Sequence, residues 1–342
     1  MIKRTIIILL YLFLAFTILV SGKTIEKVNL TDIMKPENIA VDDNQLYISE
    51  GGSVFIFSLS DYKLVKKFGS KGSGPQEFQL PGQMKLIVDA RTDKIIINSL
   101  NKISFFSKQG EFINEIRSQS FAYLVRPLGD SLVGLGSAAD SKAYYTVINL
   151  YDSKFAKTKE LFRVVNDVVS PTRKGYKLVN QTIFFDTHKD KLFFTGNSDS
   201  AIDIYDQSIK KIGSIQVNVK KKKVSQEFKD MLLNFIKTNP ETKDRFEQMK
   251  PITFADYFPT ILNLYVEDDV VYIITSNIDF KKGTMEVLTY DWKGKLKKKF
   301  NVLLKQEAPL RTYPMAIHKG KIYQVVENAE EETWQLEVSE LK

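Results

Sequence analysis

Hydrophobic and polar residues alternate along most of the chain in short runs bounded by Gly, Asp, Asn and Pro, a period-two pattern that predicts strands and tight turns. The runs come in fours. After Pro36 stand Asn38 to Val41, Gln45 to Ile48, Ser53 to Phe57 and Leu64 to Phe68, with Asp42-Asp43-Asn44 turning the first into the second. After Pro81 stand Lys85 to Asp89, Lys94 to Asn98, Lys102 to Phe106 and Glu111 to Arg117. A third unit, begun at Pro127, shows three runs: Leu132 to Leu135, Tyr145 to Tyr151 and Glu160 to Arg163. A fourth holds Thr182 to Asp186, Lys191 to Thr195, Ala201 to Tyr205 and Lys211 to Val217. Pro259 opens a fifth (Ile261 to Val266, Val270 to Thr275, Met285 to Tyr290, Leu296 to Val302), and Pro314 a sixth (Met315 to Ile317, Lys321 to Val326, Thr333 to Val338). The sixth is one strand short, and Thr24 to Leu30 can supply it, joining the chain ends and leaving no open sheet edge.

Four-stranded units repeating at about 45 residues predict an all-β fold, a six-bladed β-propeller over residues 23–342. The residues Phe68-Gly69, Gly72, Gly74-Pro75, Phe78 and Pro81, followed by Ile87-Val88-Asp89 and Lys102-Ile103-Ser104-Phe105-Phe106, resemble an NHL repeat. A weaker skeleton of the same motif stands in Ile39 to Tyr47 and Pro314 to Tyr323. The resemblance implies a propeller of the NHL or TolB-like type, a fold that serves both binding scaffolds and several unrelated enzymes, so function has to be argued from a site.

One segment breaks the rhythm. Phe228, Met231, Leu232, Phe235 and Ile236 recur at helical spacing behind Ser225, a capping residue, so residues 225–237 are expected to be helical; Asn239-Pro240 ends the helix and can start a second short one through Phe246 and Met249. This insert, residues 225–250, falls between the fourth and fifth units.

Composition narrows the chemistry. With no Cys there is no disulfide, thiolate metal site or cysteine nucleophile, and with two His no three-histidine zinc site. Both His188 and His318 follow a first strand, in the slot that Asp42-Asp43-Asn44, Gly129-Asp130 and Asp268-Asp269 fill elsewhere, which reads as turn chemistry. The acidic pairs lack the spaced ligands of a dedicated calcium loop. Gly72-Ser73-Gly74 precedes a strand and not a helix, so it reads as a turn and not a phosphate cradle.

At the N-terminus, Lys3 and Arg4 precede the uncharged stretch Thr5 to Val20 and the small residues Ser21 and Gly22, an export signal with cleavage expected after Gly22. Retained, residues 1–22 would be an anchor and the only membrane contact. Either way the body is placed outside the cytoplasm, periplasmic or secreted. Its formal net charge of +8 falls by two when Lys3 and Arg4 are removed. Lys220 to Lys223 and Lys297 to Lys299 attract anions or blunt a solvated edge, and with no interleaved aromatics nucleic acid is not expected as a partner.

In a propeller the loops entering each innermost strand and those joining second to third strands share one face. There they carry Glu50, Asn98, Ser99, Arg126, Asn197, Tyr257, Phe258, Asn277, Glu327 and Asn328, mixed donors, acceptors and aromatic surface suited to a protein, peptide or glycan ligand. The leading expectation is therefore an exported, non-catalytic binding or scaffold propeller without a cofactor. The alternative is a hydrolase or lyase resembling lactonase-type propellers, with Glu50, Asn98, Asn197 and Asn277 as ligands to a metal such as Ca. A third possibility is a structural subunit of an envelope complex. The ten residues divide the first two: convergence of the four oxygens on one point would favour the enzyme.

Overall fold

The computed structural model describes residues 19–341 except 83, 181 and 196–199, with backbone alone at 19–25. Six antiparallel four-stranded blades follow one another around an axis. Their innermost strands are Asn38–Val41, Ile87–Ala90, Tyr123–Leu128, Phe185–His188, Ile261–Glu267 and Met315–His318. Each blade then steps outward strand by strand, as the fourfold grouping of apolar runs requires. The third blade has the strand that its sequence hid. Tyr123–Leu128 contains Pro127 instead of following it, and the register slips between Tyr123 and Val125, which breaks the alternation there.

The ring is closed by both chain ends. Strand Leu19–Asn29 is the outermost strand of blade six, antiparallel to Thr333–Glu340 from Lys23 opposite Glu340 to Asn29 opposite Gln335. Its first four residues also run parallel to the outer strand of blade five, Leu19 opposite Lys299 to Gly22 opposite Val302. Between adjacent blades lie the cores. Ile39, Leu46, Ile48, Phe55 and Phe57 of blade one pack on Tyr323, Val325, Leu336 and Val338 of blade six, for instance, and Phe78 plugs the gap between blades one and two.

The glycine-rich segment is a structural turn. Ser70–Lys71 pairs in parallel with Glu77–Phe78, and the buried Lys102 ammonium donates to the carbonyls of Gly74 and Glu77 while pairing with Glu115. A loop that turns its carbonyls onto a lysine is built the opposite way from an amide cradle for phosphate. Gly69 has φ of +79°, and a Cβ there would stand 2.4 Å from the Phe78 ring, so both backbone and space require glycine.

The insert forms a helix, Gln226–Thr238, capped by the Ser225 hydroxyl accepting from the Phe228 amide at 3.2 Å. Two short 3₁₀ turns, Lys243–Arg245 and Glu247–Met249, stand where the second helix was expected. Of the five apolar residues at helical spacing, Phe228 and Ile236 are buried, Leu232 and Phe235 are half-buried, and Met231 is exposed. The returning chain Ile252–Phe254 pairs in parallel with Tyr176–Leu178, tying the insert to the connection between blades three and four.

Candidate functional site

We call the face bearing the loops that enter the innermost strands the upper face, and the face bearing the first-to-second-strand turns the lower face. Nine of the ten expected site residues are described, and the structure uses most of these locally. Glu50 accepts the backbone amides of Met34 at 3.1 Å and Lys35 at 2.6 Å, fixing the loop into its own blade. Asn98 and Ser99 are buried, and Asn98 Oδ1 accepts the Val125 amide of the next blade at 2.7 Å. Phe258 is buried edge-on against Phe228, with ring centroids 4.8 Å apart, while Tyr257 beside it is exposed. Asn277 Nδ2 donates to Glu286 at 3.3 Å, and Asn328 Oδ1 accepts the Glu330 amide at 3.2 Å in a turn. Glu327 is exposed, and Asn197 lies outside the described residues. Glu50, Asn98 and Asn277 thus point to separate partners in separate blades. Among the described residues no group of three or more His, Cys, Asp or Glu is arranged to hold a metal.

Of the nine that are described, Arg126 is the one that lines the channel. The channel there is a cavity of about 860 Å³ lined by the inner strands and by turns of the lower face. Its wall is a run of ion pairs that crosses blade boundaries. Arg126 of blade three lies 2.9 Å from Asp186 of blade four and 3.7 Å from Asp89 of blade two. Arg91 grips Asp89 at 2.6 Å and stretches to the Thr187 carbonyl of blade four at 3.0 Å. Asp186 also accepts the Val266 amide of blade five at 2.9 Å. Burial resists the charge on Asp89, but the guanidinium groups of Arg91 and Arg126 hold its carboxyl below the usual range. Burial works equally against the Arg126 charge, and Asp186 and Asp89 outweigh it, keeping the guanidinium charged.

The arc continues on the lower rim. His318 of blade six places Nδ1 2.6 Å from Glu267 of blade five and Nε2 2.9 Å from Asp43 of blade one. Lys319 adds an ammonium 2.6 Å from the same Asp43 oxygen, and its amide donates to Glu267 at 2.6 Å. Asp42 takes Lys108 at 2.5 Å and the Tyr47 hydroxyl at 2.7 Å.

The slot read from sequence as turn chemistry is indeed a turn, since Lys189, Asp190, Asp268 and Lys319 all have positive φ. Sequence reasoning missed that the flanking side chains join blades through the channel. The available signal was the recurrence of charged residues at the end of every inner strand except that of blade three, where Gly129 stands in the turn. His188 differs from His318. Burial and the nearby Lys189 push it below the ordinary histidine value, and its ring packs edge-on to Trp292 at 6.0 Å.

No family model matches the sequence, and no curated protein matches it. Among solved structures, a member of the DUF4221 family from Bacteroides vulgatus aligns with a TM-score of 0.53 at 10% identity, covering 94% of this chain and 98% of that one. Kluyveromyces lactis Hsv2 aligns with a TM-score of 0.42 at 11% identity over 90% of this chain and 74% of that one. The Pan2 WD40 domain of Neurospora crassa follows with 0.43 at 9% identity over 93% and 95%. The likeness to the first is one of fold.

Proposed function

We propose that this chain is an exported, non-catalytic binding propeller that docks a protein partner on its upper face. One observation carries the reading. Of fourteen exposed large hydrophobic side chains among the described residues, five lie on outer strands toward the lower face, and the other nine belong to loops or strand ends of the upper face. Met231 and Tyr257 of the insert region and Phe280 of blade five are exposed at 41%, 43% and 45%, and Phe280 leans on Phe228 at 5.7 Å. Isolated exposed apolar residues are ordinary, but their concentration on one face is the mark of an interaction surface, and aliphatic and thioether side chains suit a protein better than a sugar.

Export rests on residues 1–22, of which 1–18 lie outside the described residues, and kinship with NHL-type propellers rests on the Phe68 to Pro81 segment. The paired charges of the channel act as ties between blades in this reading. The test replaces Met231, Tyr257 and Phe280 by Ser and compares cross-linked partners recovered from cells of the source. Loss of a partner at unchanged melting temperature is expected, and undiminished recovery would overturn the docking site.

A further inference from the structure

We infer that a basic groove on the flank between blades four and five binds an anionic polysaccharide. After the outer strand of blade four, Lys211–Gln216, the chain runs on outside any strand, turning tightly where the Val219 amide donates to the Val217 carbonyl at 3.0 Å. With the outer two strands of blade five it encloses a second cavity of about 860 Å³. Lys220, Lys221, Lys222, Lys223 and Lys299 line it. The one carboxylate among its described lining residues, Glu286, is fully buried and already engaged by Lys299, by the Thr275 hydroxyl at 3.0 Å and by Asn277 Nδ2 at 3.3 Å. The charge presented to solvent is therefore chiefly that of the exposed Lys220, Lys222 and Lys223.

These lysines do not blunt an edge. Lys220 to Lys222 belong to no strand, and Lys223 makes a single bridge to Tyr257, so the edge-protection role of lysine does not apply. Nor are they a loose tail. The Lys222 ammonium donates to the Ile278 carbonyl at 3.1 Å, its own carbonyl accepts the Phe258 amide at 3.0 Å, and Val224 is buried with Phe228 and Phe258. The cavity holds the like charges side by side, and a bound polyanion would relieve their repulsion and release its own counterions.

The uncharged lining selects among anions. Gln216 and Asn218 supply amides that donate and accept, matching sugar hydroxyls, whereas the one aromatic residue among the lining, Tyr290, is buried and offers no face on which a base could stack. This groove is separate from the upper-face apolar surface, and the inference stands or falls without it.

The test measures affinity of the full chain for dextran sulfate, polygalacturonate and neutral dextran over a range of salt, alongside vesicles containing phosphatidylserine. Both charged polysaccharides should bind and neutral dextran should not. Lys220→Gln with Lys223→Gln should weaken binding about tenfold and lower the slope of log affinity against log salt by about 1.5, the share of two charges. Lys142→Gln with Lys154→Gln, the same charge change on exposed turns of blade three, should leave both unchanged. An equal loss in that control, wild-type binding by the groove variant, or capture of vesicles but of neither polysaccharide would each overturn the inference.

Discussion

His318 Nδ1 lies 2.6 Å from Glu267 Oε1, a close polar contact that joins blades six and five. Because Nε2 faces a second carboxylate, Asp43 at 2.9 Å, the two carboxylates together favour a proton on each ring nitrogen and so the imidazolium form. The ring thus clamps three consecutive blades where the propeller closes.

A two-histidine chain makes this measurable by NMR, one resonance for each ring. Burial opposes the His318 charge, but the hydrogen bonds and charges of Glu267 and Asp43 outweigh it and raise its pKa above 6.5. Burial and Lys189 lower that of His188 below 6.5. The two titrations should separate in those directions. For His318 the folded value exceeds the unfolded one, so its stabilisation is complete below about pH 6.5 and is lost as pH rises through the folded pKa. His318→Gln should remove that alkaline decline in melting temperature. Coincident titrations would show that the clamp is not formed in solution.

Asp186→Ala should be among the most damaging single substitutions in the channel. It strips the Val266 amide of its acceptor and leaves Arg126 with only Asp89, at 3.7 Å. Removing one partner of a buried pair costs about 3–5 kcal/mol. Urea unfolding of the variant measures it. If the true cost is below about 1 kcal/mol, the channel pairs are solvated and do not tie the blades.

Blade number, strand order and ring closure were readable because each depends on local alternation and turn residues, which a propeller repeats. The first strand of blade three was not readable, since its register slip and internal Pro127 erase the period. The site was less legible, and for a geometric reason. Sequence position tells which face a loop reaches, and Tyr257 and Glu327 are exposed on such loops. It cannot tell that Glu50 bends back onto the Met34 and Lys35 amides, or that Asp43, Glu267 and His318, far apart in the chain, meet across three blades.

Within the insert, two apolar residues three positions apart should behave oppositely. Phe228 is buried against Val224 and Phe258, so Phe228→Ala should cost about 3–5 kcal/mol. Met231 is exposed, and Met231→Ala should change stability by less than about 0.5 kcal/mol. Denaturant midpoints of the two variants decide it. Equal effects would mean that the helix packs on the propeller by a different face.

Ring closure can be tested by where the chain starts. A protein beginning at Lys23, the expected product of export, loses only the parallel pairs of Leu19 to Gly22 with Lys299 to Val302 and keeps every pair from Lys23 to Asn29 with the third strand of blade six. It also keeps Lys27, whose ammonium lies 3.0 Å from the buried Glu337; Lys305 lies at the same distance and shares that carboxylate. A protein beginning at Leu30 loses all of this. Blade six then exposes the edge of Thr333–Glu340, Glu337 keeps one of its two cations, and the two ends of the ring are no longer joined by strand pairing. The first protein should melt in a single transition within a few degrees of the full chain, and the second should lose its cooperative transition. Calorimetry of both settles the matter. A sharp, unshifted transition in the Leu30 protein would show that the inter-blade cores and the His318 clamp hold the ring without the N-terminal strand.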